Sequence, residues 1–89
     1  MTNFQKKRDF ANIFTKVVTN TTYTTENNCG EIFMKNTGAV SARFKGNITG
    51  SDWVSLGVGE AYAFGYIGLP RVPFEIDATG TVVEVSMSM

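Results

Sequence analysis

The chain has 89 residues, of which 43% are apolar and 18% charged, and its formal net charge is zero. That is room for one domain, with enough apolar material for a core, which excludes wholesale disorder. Zero net charge excludes a strong long-range pull on nucleic acid or anionic lipid, and no apolar run approaches the ~20 residues that a membrane-spanning helix needs.

Residues 1–18 carry most of the early charge and no glycine. Lys6, Lys7 and Arg8 lie together, and no apolar stretch follows them that would make a secretory signal. The chain is therefore expected to be made in a cytoplasm and to carry no signal peptide. On a helical wheel Phe10, Ile13, Phe14 and Val17 share one side, and Asp9 could cap the start. The density of β-branched residues after Ile13 argues for extended chain instead. The expectation is an arm over residues 1–18, partly helical, running into a strand near Phe14.

Residues 19–28 are rich in Thr and Asn, and Thr21 to Thr25 is a candidate strand. From Gly30 onward, short apolar or alternating runs are separated by glycines at Gly38, Gly46, Gly50, Gly57, Gly59, Gly68 and Gly80. Turn signals at that spacing indicate a sandwich or barrel. Glu31 to Lys35 reads as the first strand of this region. In Ala39 to Lys45, the residues Val40, Ala42 and Phe44 point one way and Ser41, Arg43 and Lys45 the other, as in a half-buried strand. Trp53 to Leu56 makes the next run, and Gly57-Val58-Gly59-Glu60 a tight connection.

In Ala61 to Ile67, Tyr62, Phe64 and Tyr66 share one face. The small residues Ala61, Ala63 and Gly65 on the other face would let another sheet or chain come close. Pro70 and Pro73 mark an edge or a crossing loop. Phe74, Ile76 and Ala78 alternate with Glu75 and Asp77. Ala78 to Thr81 reads as a hairpin turn before a last strand with Val83, Val85, Met87 and Met89 on one face. The fold class is all-β: a small antiparallel β-sandwich or jelly-roll-like barrel of about six to eight strands over residues 19–89, preceded by the arm 1–18.

Little here points to catalysis. There is no histidine, which removes the commonest general base and metal ligand and rules out Ser–His and Cys–His pairs. Cys29 is the only cysteine, so no intrachain disulfide can form, and one thiol cannot make the usual zinc shell. Glu75 and Asp77 share a strand face, which solvated alternation explains more simply than a paired-carboxylate site. Gly57-Val58-Gly59-Glu60 lacks the trailing glycine and lysine of a phosphate loop. The chain is therefore expected not to be an enzyme, and no cofactor or metal is implied.

What remains is surface. A domain this small without disulfide or metal is marginal, and partner subunits are the remaining support. Phe4, Phe10 and Phe14 interleave with Lys6, Lys7 and Arg8, and exposed aromatics on an arm are costly unless a neighbour covers them. These six residues are the candidate partner-binding set. Trp53, at a strand start after Ser51-Asp52, is a candidate surface aromatic for sugar or protein, with core packing as the alternative. Tyr62 and Tyr66 read as core.

Three stretches then carry a resemblance: Asn36-Thr37-Gly38-Ala39-Val40, Ser55-Leu56-Gly57-Val58-Gly59-Glu60, and Ile76-Asp77-Ala78-Thr79-Gly80-Thr81-Val82-Val83-Glu84-Val85. Over about residues 36–85 the chain resembles small β-sandwich or jelly-roll proteins of bacteriophage particles: capsid decoration proteins, vertex or penton jelly rolls, and head-fibre base domains. The shared elements are general to β-sandwiches, and no residue-level site carries over. The resemblance implies a structural component of the virion that binds the major capsid protein or another virion protein. It also implies a homo-oligomer, a pentamer at a vertex or a trimer at a fibre base. A carbohydrate- or receptor-binding module using Trp53 is the alternative. Residues 30–89 accommodate about six strands at the usual ~5–6 residues each. A full eight-stranded jelly roll would need the Thr-rich segment, or a partner, to supply the rest.

Overall fold

The computed structural model describes residues 13–25, 31–65 and 73–88, and every regular element among them is a β-strand. The strands are β1 (Ile13–Thr19), β2 (Thr22–Thr24), β3 (Glu31–Asn36), β4 (Ala42–Gly46), β5 (Val54–Leu56), β6 (Ala61–Gly65), β7 (Phe74–Asp77) and β8 (Val82–Ser88). They form two four-stranded sheets, ordered β1-β8-β3-β6 and β2-β7-β4-β5. Every pairing is antiparallel. Only β4 and β5 are neighbours both in the chain and in a sheet; every other connection crosses to the opposite sheet. This is the jelly-roll arrangement.

The alternation read from the sequence sets the two faces. In β3, Ile32 and Met34 are buried while Glu31, Phe33 and Lys35 are exposed. In β8, Val83, Val85 and Met87 are buried. The second sheet contributes Ala42, Phe44, Leu56 and Ile76 to the same core. Each fully buried aliphatic or aromatic side chain stabilises by about 1.5–3 kcal/mol relative to exposure. An aromatic cluster ties the sheets together. The Phe44 ring on β4 lies 5.1 Å from Tyr62 and 5.9 Å from Phe64, both on β6, and 6.0 Å from Phe74 on β7.

Six strands fall within residues 31–88, and the Thr-rich segment supplies β2. Two expectations need correction. The strand expected near Phe14 is β1, but an arm reaching residue 18 is too long: residues 13–18 are strand throughout and pair with β8 along their whole length. Val18 is buried in the core, and the β-branched run Ile13, Thr15, Val17, Val18 suits a strand more than a helix turn. The sandwich thus begins at Ile13, and residues 1–12 lie outside the described residues.

The second correction concerns Ala78 to Thr81, which is not a hairpin. It is a corner that carries the chain from β7 in one sheet to β8 in the other. Its local shape is that of a tight turn, with Thr81 N–H donating to Ala78 O at 3.0 Å and Gly80 at φ 77°. What makes it a corner is non-local: Asn20, itself at φ 52°, donates its N–H to Thr81 O at 3.0 Å and accepts from Gly80 N–H through Oδ1 at 2.8 Å. The β1–β2 and β7–β8 corners are thereby bonded to each other.

Asn36 is the polar hub of the same end of the sandwich and is fully buried. Its Nδ2 donates to Val40 O at 2.8 Å and Leu56 O at 2.9 Å. Its Oδ1 accepts from Gly38 N–H at 2.9 Å and from the Thr81 hydroxyl at 3.0 Å. All four capacities of the amide are used. Gly38 is held so close to Thr81 that a Cβ there would collide with the Thr81 hydroxyl and stand 2.5 Å from Val82 N. Glycine is required at this point by close approach.

Candidate functional site

Among the described residues, the two outer faces of the sandwich carry the exposed side chains. On the β1-β8-β3-β6 sheet, the register places side chains in rows: Ile13, Ser88 and Glu31; Thr15, Ser86, Phe33 and Ala63; Val17, Glu84, Lys35 and Ala61. Ile13, Val17 and Phe33 are 49%, 55% and 43% exposed. The residues beside Phe33 are small, and next to it a cleft of about 330 Å³ is bordered by Ile13, Ala63 and Ser86 and also by the inward-facing Ile32, Phe64 and Met87. The small-residue face expected in the Ala61 to Gly65 segment is therefore on the outside, where a second body could approach closely.

The outer face of the β2-β7-β4-β5 sheet is polar. Its rows are Thr22, Asp77, Arg43 and Ser55, then Thr24, Glu75 and Lys45. Arg43 Nε donates to Asp77 Oδ2 at 2.9 Å. Asp77 Oδ1 accepts from the Thr79 N–H at 3.0 Å and from the Thr79 hydroxyl at 2.6 Å. The half-buried ring of Trp53 lies beside β4, with the Arg43 guanidinium 4.2 Å and the Lys45 ammonium 4.8 Å from its centroid. A cleft of about 380 Å³ opens between Trp53 and Ser55 on one side and Asp77 and Thr79 on the other, with Arg43 between them.

The two Thr79 hydrogen bonds, with the Arg43 contact behind them, hold the Asp77 carboxyl below its ordinary pKa. A carboxylate depressed in the folded state contributes stability that is present above its unfolded pKa and lost as pH falls through the folded one. Asp77→Asn is therefore expected to be less stable than the parent at pH 7. The difference should vanish once pH drops below the usual carboxylate range. Urea unfolding at pH 7 and pH 2 measures it; a gap of equal size at both would show that charge is not the cause.

Of the residues singled out from the sequence, Phe4, Lys6, Lys7, Arg8 and Phe10 lie outside the described residues, as do Cys29 and Tyr66. Phe14 is on β1, 43% exposed, at the edge of its sheet. Trp53 is a surface aromatic, absent from the buried core. Tyr62 packs against that core. Gly57 to Glu60 is the crossing from β5 to β6, closed by Glu60 Oε1 accepting from Gly57 N–H at 2.7 Å. Sequence reasoning missed Phe33 and the Arg43–Trp53 stack. Phe33 sits in the run Ile32-Phe33-Met34, where no polar residue marks the outward position. The stack joins β4 to a residue ten positions on, which no local spacing reveals.

No protein-family model and no curated protein matches the chain. Solved structures do. The chain is similar to HppE in its iron(II) form, with a TM-score of 0.61 at 13% identity over 89% of this chain and 44% of that one. It is similar to hydroxypropylphosphonic acid epoxidase from S. wedmorenis in complex with fosfomycin, with a TM-score of 0.61 at 15% identity over 88% of this chain and 44% of that one. A de novo designed double-stranded β-helix aligns with a TM-score of 0.55 at 18% identity, over 85% of this chain and 95% of that one. The fold is shared with double-stranded β-helices. The chain spans under half the length of the epoxidase chains it matches.

These likenesses overturn the expectation that the chain is not an enzyme. A frame of this shape carries an epoxidase, so the missing histidine excludes particular chemistries and not catalysis as a class. The likeness itself carries the fold and no residue. Two histidines and one carboxylate, the common non-haem iron(II) set, cannot be assembled from this chain. Among the described residues no three of His, Cys, Asp and Glu converge as a metal site. No helix among them is long and apolar enough to cross a membrane.

Proposed function

We propose that the chain is a jelly-roll assembly module: a minor capsid, decoration or vertex component of a phage particle. It packs against the major capsid protein or further copies of itself. The observation that carries this reading is the outer face of the β1-β8-β3-β6 sheet. Ile13, Val17 and Phe33 stand exposed there beside the small side chains of Ala61, Ala63 and Ser86, with Glu31, Lys35 and Glu84 spaced between them. Exposed apolar groups gathered on one flat face mark interaction surfaces, and an aromatic beside a cleft is the usual anchor of one. The virion setting rests on the resemblance of residues 36–85 and on the use of jelly rolls in viral capsid domains, which is an analogy of fold.

Phe4, Lys6, Lys7, Arg8 and Phe10, which precede β1 in the sequence, serve this assembly as partner-binding residues together with Phe14 on β1. Among the described residues β1 is also a seven-residue edge strand with no strand paired on its outer side, where another chain could add one.

Native mass spectrometry of the full chain tests the proposal. A defined pentamer or trimer is expected, falling to monomer in Phe33→Glu with the circular dichroism spectrum unchanged, and with the melting temperature unchanged at concentrations where the parent is monomeric too. Burying a carboxylate in an apolar contact should weaken association by about 2 kcal/mol or more, roughly thirtyfold. A truncation lacking residues 1–12 leaves β1 intact and is expected to weaken assembly as well. A chain that stays monomeric and does not associate with capsid shells overturns the reading.

A further inference from the structure

The geometry points to the Trp53 cleft, on the sheet opposite the assembly face, as a binding site for an acidic sugar unit, a pyranose ring bearing one carboxylate. Four features combine. Trp53 offers a partly exposed indole whose ring already carries the Arg43 guanidinium and the Lys45 ammonium, and the C–H face of a sugar ring would meet the part of it that these cations leave open. Arg43 is already oriented: Asp77 holds its Nε at 2.9 Å and the indole lies 4.2 Å beneath its guanidinium. The two terminal nitrogens of that guanidinium make no hydrogen bond among the described residues, although the side chain is 51% exposed. They form a preorganised fork of the kind that takes a carboxylate through two parallel hydrogen bonds.

The third feature is the rim. The hydroxyls of Ser41 and Ser55 line the same cleft and suit ring hydroxyls as donors and acceptors, and the Thr79 hydroxyl, whose proton goes to Asp77, can accept there. Its volume of about 380 Å³ is at the lower end of ligand pockets, which run from about 300 Å³.

The fourth feature is charge, and it selects the ligand. Arg43 and Lys45 are matched on this face by Asp77 and Glu75, their register neighbours on β7. Asp77 is committed to Arg43 and Thr79. A face with two cations and two carboxylates has no surplus for a polyphosphate or a nucleic acid strand, whose binding scales with the number of phosphates neutralised. A single carboxylate carried on a polyhydroxyl ring meets the Arg43 fork without facing that repulsion over a long length. This inference is independent of the assembly reading, since it uses the other sheet.

Trp53 is the only tryptophan, so its fluorescence reports on this cleft alone. The full chain is titrated with D-glucuronic acid, with D-glucose and with acetate, following indole emission and the amide resonances of residues 43, 55, 77 and 79. Glucuronic acid is expected to bind with a dissociation constant of about 1–10 mM, as one small ligand on an open site does. Glucose, which lacks the carboxylate, and acetate, which lacks the ring, should each bind at least tenfold more weakly. Arg43→Lys keeps the charge and removes the fork; it should weaken glucuronic acid tenfold while leaving the melting temperature close to the parent's. Trp53→Phe should weaken it several-fold. An equal response to acetate, an unchanged affinity in Arg43→Lys, or no response of these resonances to glucuronic acid overturns the assignment.

Discussion

Replacing Asn36 with alanine is expected to cost about 3–4 kcal/mol of folding stability, the effect of stranding several buried polar groups at once. The amide of Asn36 satisfies Val40 O, Leu56 O, Gly38 N–H and the Thr81 hydroxyl. Two of these bonds are wholly buried, to Leu56 and to Thr81. Each buried group left without a partner costs about 1–3 kcal/mol, with water reaching the more open ones. A domain of this length has roughly 4–13 kcal/mol in all, at 0.05–0.15 kcal/mol per residue, so the loss would take from about a quarter to nearly all of it. Asn36→Asp should do no better, because it keeps the acceptor and loses both donors while burying a charge. Urea unfolding is the measurement: the midpoint should fall with the slope unchanged. A loss under about 1 kcal/mol would mean that the hub bonds are dispensable.

The hub explains why part of the fold was legible in the sequence and part was not. Period-two alternation in Phe74 to Ala78 and in the last strand is a local signal that gives a strand with the expected face inward. In Ala39 to Lys45 it holds only from Ala42, where β4 begins with Ala42 and Phe44 buried, while Val40, expected on the same face, precedes the strand and is exposed. The all-β class and six strands after residue 30 follow from the same signal. Which strand lies beside which does not, because all neighbours except β4 and β5 meet across long stretches of chain. Asn36 looks like turn chemistry beside Thr37 and Gly38, and nothing local says that it reaches Leu56 and Thr81. The corner at Ala78 to Thr81 shows the same limit. A tight turn with glycine at positive φ serves a hairpin and a sheet crossing alike, and the choice is made by Asn20, sixty residues away in the chain from Gly80.

The candidate surfaces were legible to different degrees. Trp53 was recognisable as an aromatic at a strand start, but its cations come from β4 by cross-strand register. The small-residue face of Ala61 and Ala63 was visible, yet Phe33, the side chain that gives the face its purpose, was hidden in an apolar run. The fold likeness also removes the ground for excluding catalysis as a class from residue types alone. Missing histidine spoke against common catalytic pairs, whereas the frame is one on which an epoxidase is built. Residue types constrain which reactions a site can run, and the shape of the frame says nothing about whether it runs one.

Phe44→Ala is expected to be the most damaging single core substitution, and its comparison with Phe33→Ala separates core from surface aromatics. Phe44 is 3% exposed and meets Tyr62, Phe64 and Phe74 at centroid distances of 5.1 to 6.0 Å. Tyr62 and Phe64 belong to the opposite sheet, so this ring bridges the sandwich. Removing a buried phenyl costs about 3–5 kcal/mol, from lost transfer energy and the cavity left behind. At about 4–8 °C per kcal/mol for a domain of this size, the melting temperature should fall by roughly 15 °C or more. Phe33, 43% exposed on the outer face of the other sheet, should change it by about 1 kcal/mol or less in the isolated chain. Calorimetry on both variants at a concentration where the chain is monomeric reads the contrast. Similar losses for the two would place Phe33 in the energetics of folding and remove the main support for its outer face as an assembly surface. If Phe33→Ala melts like the parent but no longer assembles, the division of labour between the rings is as the exposures imply: Phe44 holds the sheets together, and Phe33 holds the chain to its neighbour.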